Sequence, residues 1–72
     1  MNALSSPISG RVIAVHVQVG AALKAGDAVC TVEAMKMEIP IEAQGTGVVA
    51  ELFVEVGSDV AEGDPVARWR VG

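Results

Sequence analysis

The fold is decided by the stretch GRVIAVHVQVG at residues 10–20, where mostly aliphatic residues stand between two glycines. Its side chains form two alternating sets, Ile13, Val15, Val17 and Val19 against Val12, Ala14, His16 and Gln18. A period of two predicts a β-strand with one buried face. Valine carries the predicted interior, since the chain has one Phe, one Trp and no Tyr. Helical periodicity is absent, so the sequence predicts an all-β chain.

The same pattern returns 37 positions later, where residues 47–57 read GVVAELFVEVG. The two halves align without a gap, glycine on glycine and valine on valine. The matched pairs include Gly10/Gly47, Gly20/Gly57, Gly26/Gly63, Asp27/Asp64, Val12/Val49, Val17/Val54, Val19/Val56 and Val29/Val66. We therefore predict two copies of one motif, packed about a pseudo-twofold axis into a flattened sandwich or barrel that closes most sheet edges.

Each half is predicted to consist of a strand, a turn, a short strand, a turn and a strand. Gly20 and Gly57 are expected to end the first strands, and a Gly-Asp dipeptide forms each following turn because Gly takes positive φ and Asp bonds nearby backbone. The last strands are expected at residues 28–34 and 65–71. Their predicted inward residues are Cys30 and Val32 in one half and Ala67 and Trp69 in the other.

Size and charge exclude several classes of function. The 72 residues form one small domain, 1–72, with a thin core and little room for a catalytic cleft. Nine acids against five bases give a net charge of −4, which argues against nucleic acid as a partner. No apolar run spans a bilayer and no signal peptide is evident. Because Cys30 is the only cysteine, we expect a reducing compartment, most simply the cytoplasm.

The segment EAMKMEIP at residues 33–40 joins the two halves and breaks a turn rule. The chain must reverse here, yet no Gly, Asn or Asp is present, and two-residue hairpins need φ > 0 at both central positions. Met35 and Lys36 are poor choices for such a turn, and violations of this kind are typical of functional sites. The repeat makes the chain termini the counterpart of this hairpin. We therefore expect Lys36 to project from a rigid tip at the opposite end of the domain from the termini.

Ala34, Met35, Lys36 and Met37 match the attachment motif of biotinyl domains, and with the glycine pattern the chain resembles the biotin carboxyl carrier family over nearly its whole length. The resemblance implies an eight-stranded flattened barrel-sandwich hybrid with biotin joined to Lys36 by an amide bond. It implies a biotin protein ligase as modifying enzyme, with Ala34, Met35 and Met37 as its recognition motif; capping of the core is the other interpretation of the two methionines. It also implies a non-catalytic, monomeric carrier that serves biotin carboxylase and carboxyltransferase subunits.

Two departures and two alternatives accompany this resemblance. Gln44 stands where family members commonly have Pro, and the gapless repeat leaves no room for the "thumb" insertion of some acetyl-CoA carboxylase carriers. A lipoyl domain shares the fold, but it typically has Asp before the lysine and Ala or Val after it. An unmodified interaction domain is the other alternative. Met1 close to the first strand suggests a free-standing carrier, and an excised part of a larger carboxylase is the other interpretation.

The remaining reactive residues have simpler interpretations. Lys24 aligns with Ala61 and is expected to be a solvated turn residue. Cys30 is expected in the core, and His16 has no companions for a metal site. The acidic residues near the hairpin are expected to form a solvated face, with partner docking as the weaker option; they are Glu33, Glu38 and Glu42.

Overall fold

A computed structural model describes residues 2–71, and all of its regular structure is β-strand. The predicted domain 1–72 also includes Met1 and Gly72, which lie outside the described residues. The strands are β1 (Asn2–Ser5), β2 (Gly10–Val15), β3 (Ala22–Leu23), β4 (Ala28–Ala34), β5 (Met37–Glu42), β6 (Gly47–Leu52), β7 (Asp59–Val60) and β8 (Pro65–Arg70). Across residues 2–71 no helix is long and apolar enough to cross a membrane.

The eight strands form two four-stranded antiparallel sheets, ordered β5-β4-β2-β7 and β1-β8-β6-β3. Each pairing in one sheet has a counterpart in the other at the spacing of the sequence repeat, with the same register and the same irregularities. Examples are the cross-strand pairs Val12–Val32 and Val49–Trp69. The all-β sandwich of two related halves is thus confirmed, and the β1–β8 pair is the counterpart of the β4–β5 hairpin.

The strand predicted to run from residue 10 to Gly20 is shorter than expected. The β2–β4 ladder slips at Ile13, and β2 ends at Val15. A β-bulge leaves one residue unpaired and bends the strand. The alternation of inward and outward side chains therefore shifts by one residue beyond the bulge. Beyond the bend the chain crosses to the other sheet, where the Gly20 N–H donates to the Val49 carbonyl at 2.8 Å. The second half repeats this arrangement, so the expectation that the glycines end the strands was wrong in both.

The core lies between the sheets and consists mainly of small aliphatic side chains. Val12 and Val49, which precede the two bulges, are each 1% exposed, whereas Val19 is 61% exposed. The inward set predicted from the sequence is confirmed as buried: Cys30, Val32, Ala67 and Trp69. Burial on both sheets follows from the pleat, because alternate side chains of β4 and β8 point between the layers.

The cores of the two halves differ at Trp69, whose counterpart is the much smaller Val32. The indole ring extends over Gly45 and Gly47, where an added Cβ would come within 3.1 Å and 3.0 Å of the ring. At Gly45 the missing side chain makes room for the indole, whereas at Gly47 the atom nearest to an added Cβ is the backbone carbonyl oxygen of Arg70. The indole Nε1 is buried and has no hydrogen-bond partner among residues 2–71.

The turns after the short strands are built alike. The backbone N–H of Lys24 donates to Asp27 Oδ2, and that of Ala61 donates to Asp64 Oδ2, both at 2.9 Å. The glycine before each aspartate has a positive φ near 90°. The predicted Gly-Asp turns are confirmed, with each carboxylate accepting a backbone hydrogen bond as the turn chemistry requires.

Candidate functional site

The loop between β4 and β5 contains only Met35 and Lys36. Ala34 pairs with Met37 across the ladder, and the two residues between them have φ of 53° and 65°. Among residues 2–71 they are the only non-glycine residues with positive φ. Positive φ at both central positions is the arrangement of a type I′ turn. The structure thus contains the unusual turn that the sequence predicted. We call residues 34–37 the hairpin tip.

This backbone geometry is locally unfavourable. A left-handed conformation costs about 1–2 kcal/mol per non-glycine residue because Cβ approaches the following carbonyl oxygen. The ladder beneath the hairpin tip holds the turn in place: β4 and β5 pair from Ala34 and Met37 down to Ala28 and Glu42. Ala34 in the last rung is buried, although it lies outside the main core cluster. The side chains at the turn are therefore carried on a well-determined backbone.

The side chains of the hairpin tip face solvent. Met35 is 89% exposed and Met37 is 63% exposed, and Lys36 between them is also exposed. No carboxylate among residues 2–71 forms an ion pair with Lys36. An amine on a four-methylene stem, fixed at its base and free at its end, can be reached by a large enzyme. The flexible thioethers beside it suit an adaptable contact surface.

An acidic surface lies directly below the hairpin tip, and its arrangement was not foreseen from the sequence. Glu33 and Glu38 are cross-strand partners, and Arg11 on β2 is the neighbour of Glu33 on its other side. Arg11 Nε lies 3.5 Å from Asp59 Oδ1, and both side chains are exposed. Such an exposed pair contributes little to stability. A two-residue turn at Met35 and Lys36 places Glu33 opposite Glu38. The register of this pair could therefore have been derived from the sequence by aligning the two strands of the hairpin.

The other chemically active residues do not join this site. Cys30 is fully buried, and burial raises the pKa of its thiol. His16 Nε2 lies 2.9 Å from the Thr31 hydroxyl on the outside of the sheet. Lys24 is exposed in its turn, as expected. Within residues 2–71 no group of three His, Cys, Asp or Glu side chains could hold a metal ion.

A shallow groove of about 280 Å³ lies along the edge strands β1 and β5. Its lining includes the repeat-related pairs Leu4/Ile41 and Ser5/Glu42, so it straddles the pseudo-twofold axis. Lys36 does not line it. Within residues 2–71 no side-chain hydrogen bond joins its Ser5 to its Glu42, so the reactive amine of the hairpin tip remains the better candidate for function.

The sandwich with one exposed lysine on a strained two-residue turn defines an attachment domain, a class of protein that carries a covalently bound group. The biotin/lipoyl family model, described as "Biotin-requiring enzyme", matches residues 2–69. The chain belongs to this family. The biotinyl-domain prediction is thereby confirmed, and biotin is confirmed as cofactor at the level of the family.

Three known proteins illustrate the similarity. A Bacillus subtilis biotin/lipoyl attachment protein is 41% identical over 85% of this chain and 84% of its own length. The propionyl-CoA carboxylase alpha chain of Ruegeria pomeroyi is 40% identical over 92% of this chain. The structure of Kluyveromyces lactis urea carboxylase superposes with a TM-score of 0.85 at 36% identity, over 92% of this chain and 6% of the other. This chain spans only 10% of the Ruegeria protein.

Proposed function

We propose that a biotin protein ligase joins biotin to Lys36, and that the domain then carries a carboxyl group from a biotin carboxylase to a carboxyltransferase. The observation that carries this proposal is the position of Lys36: an exposed amine at a positive-φ turn, held by an antiparallel ladder. Ala34, Met35 and Met37 are the proposed recognition motif of the ligase. The family match and the carboxylase relatives support the choice of biotin.

The attachment chemistry requires little from the domain itself. Lys36 Nζ must lose a proton and attack the carbonyl carbon of biotinyl-adenylate, which forms an amide and releases AMP. Glu33 and Glu38 are exposed and lie on the strands below the turn, and neither forms an ion pair with Lys36. Because neither carboxylate is placed to accept the proton of Lys36, we assign proton removal to the ligase. The amide removes the positive charge of Lys36 and leaves a long neutral tether. When bound, biotin supplies the ureido nitrogen that holds the carboxyl group.

The fold contributes reach and presentation. The domain measures 36 × 17 × 17 Å, and the stiff hairpin keeps the tether away from the core. Tethering raises the effective concentration of the carried group at each partner site. We propose that the domain itself is non-catalytic and that its partners perform both half-reactions. A location in the cytoplasm is part of this proposal, supported by Cys30 as a free buried thiol.

The proposal is tested by the intact mass of the chain after incubation with a biotin protein ligase, ATP and biotin. We expect a gain of one biotinyl group in the wild type and no gain in Lys36→Arg. Lys24→Arg is the matched control, since it removes the other lysine from an exposed turn and should label like the wild type. Labelling that survives Lys36→Arg, or no labelling of the wild type, would contradict the proposal.

A lipoyl carrier is the second candidate, because the matching family covers both attachments. A lipoate ligase with ATP and lipoate should leave the mass unchanged. The residues beside Lys36 favour biotin, since Met35 and Met37 occupy the positions where lipoyl domains typically have Asp and Ala or Val. A gain of one lipoyl group, with none of biotin, would reverse the assignment.

A further inference from the structure

The sulfur atoms within residues 2–71 differ widely in solvent exposure. Cys30 is fully buried, and burial raises the pKa of its thiol, so the reactive thiolate is disfavoured. Met35 and Met37, by contrast, are 89% and 63% exposed. Among residues 2–71 these two thioethers are therefore the sulfurs that a small oxidant in water reaches first. Both are immediate neighbours of Lys36.

Oxidation would change the character of the hairpin tip without breaking a bond of the chain. Each thioether takes one oxygen atom from hydrogen peroxide, which forms a sulfoxide and water. The sulfur is oxidised by two electrons and the peroxide is reduced. A flexible apolar side chain becomes a polar, chiral one with a strong hydrogen-bond acceptor. A methionine sulfoxide reductase reverses the step with two thiols, which leave as a disulfide together with water.

The fold does not depend on these side chains. Both lie outside the cluster of core residues and are exposed. The backbone bonds of the ladder do not involve the thioethers, and the φ values of the turn are set by that ladder. A sulfoxide at either position therefore alters the surface around Lys36 while the free energy of unfolding stays nearly constant.

We infer that Met35 and Met37 form a reversible oxidation site that controls whether the amine of Lys36 can be modified. This inference rests on the proposed function, because the modification it controls is attachment by the ligase. Hydrogen peroxide is the oxidant by chemical class, and a sulfoxide reductase is the enzyme that restores the site. The exposed pair thus makes the state of the hairpin tip depend on oxidant concentration.

The test begins with the 72-residue chain treated with dilute hydrogen peroxide. Peptide mass spectrometry should find one oxygen on Met35 and one on Met37 before any oxygen on Cys30, with an unchanged thermal midpoint. The rate of biotinylation by a biotin protein ligase should then fall because an apolar contact becomes polar, about tenfold if that contact contributes about 1.4 kcal/mol. Treatment with a methionine sulfoxide reductase and a dithiol should restore the rate.

The matched control is the double variant Met35→Leu and Met37→Leu, labelled before and after peroxide. Its rate should be insensitive to peroxide, which separates oxidation of the hairpin tip from oxidation of Met1 or of the ligase. A wild-type rate that stays within twofold after both methionines are oxidised would overturn the inference and leave the proposed function intact. A reduced chain that gains no biotin would overturn both.

Discussion

Glu33 on β4 and Glu38 on β5 lie directly opposite each other, one rung below the turn that carries Lys36. Like charges in this relationship destabilise an antiparallel pair. Arg11 borders Glu33 on the other side, and it also pairs with Asp59. The hairpin therefore combines a left-handed turn with a like-charge rung, and the rest of the ladder offsets both.

Replacing Glu38 by lysine should stabilise the domain. The substitution turns a like-charge rung into an opposite-charge one, so we expect a gain of about 0.5 kcal/mol in the free energy of unfolding. Urea unfolding at low salt measures it, and the gain should shrink in 1 M salt because the pair is exposed. Glu62→Lys makes the same change in net charge in a distant exposed turn. An equal gain in that control would show that net charge alone is responsible.

Met35→Asn should also raise stability, because asparagine tolerates positive φ better than methionine does. We expect a gain of up to about 1 kcal/mol, or a few degrees in the thermal midpoint. Met37→Asn is the control, since Met37 begins β5 and does not have positive φ. Its thermal midpoint should not rise. Circular dichroism melts measure the thermal midpoints of both variants. If neither midpoint rises, the inference that the backbone at Met35 is strained is contradicted.

Asp27→Ala and Asp64→Ala should destabilise the domain by similar amounts. Each removes a side-chain acceptor for one backbone N–H at 2.9 Å, and a lost bond of this kind costs about 1 kcal/mol. The two turns belong to different halves, so the double variant should lose about the sum. Urea unfolding of the three variants provides the measurement. A loss in one turn only would argue against the equivalence of the halves.

Trp69 should respond very differently to two substitutions. Trp69→Ala empties the space over Gly45 and Gly47 and should cost about 4 kcal/mol, which is a large part of the stability of a domain this small. Trp69→Phe should cost only about 1–2 kcal/mol, because the indole Nε1 has no partner to lose within residues 2–71. Denaturation followed by circular dichroism tests both. Comparable losses would indicate that the N–H does have a partner.

Cys30 should make stability depend on pH in alkaline solution. Burial raises the pKa of its thiol in the folded state, so its contribution is complete below the ordinary value of about 8.5 and is lost as the pH rises towards the folded value. Urea unfolding in reducing buffer at pH 7 and at about pH 9.5 should show this loss. Cys30→Ala should lose less over the same range. Ala67 occupies the corresponding position in the other half, so that variant is expected to fold.

The repeat allowed much of this fold to be predicted from the sequence. Pairing Gly10 with Gly47 gave the two related halves, and the alternation of Cys30 and Val32 gave a buried face that the structure confirms. The bulge at Ile13 was missed because an aliphatic run such as residues 12–15 contains no signal for one unpaired position. Side-chain periodicity records burial, and it does not record where the backbone leaves the ladder.

The hairpin tip was predicted from a conflict between local preference and topology, since Met35 and Lys36 had to turn without glycine. The like-charge rung of Glu33 and Glu38 was missed for a different reason. Each glutamate is ordinary in its own strand, and the relationship appears only when the two strands are aligned. Properties of single positions were therefore accessible from the sequence, whereas properties of pairs across the sheet needed the register.

The internal repeat has a consequence for stoichiometry. A body with two equivalent halves would ordinarily offer two equivalent docking sites, and so two attached groups. Here Glu33 corresponds to Arg70, which reverses the sign of the charge at the equivalent position of the other half. An enzyme that selects the acidic rung beside the positive-φ turn therefore finds this combination once within residues 2–71. The charge difference makes the two halves distinguishable although their backbones are alike.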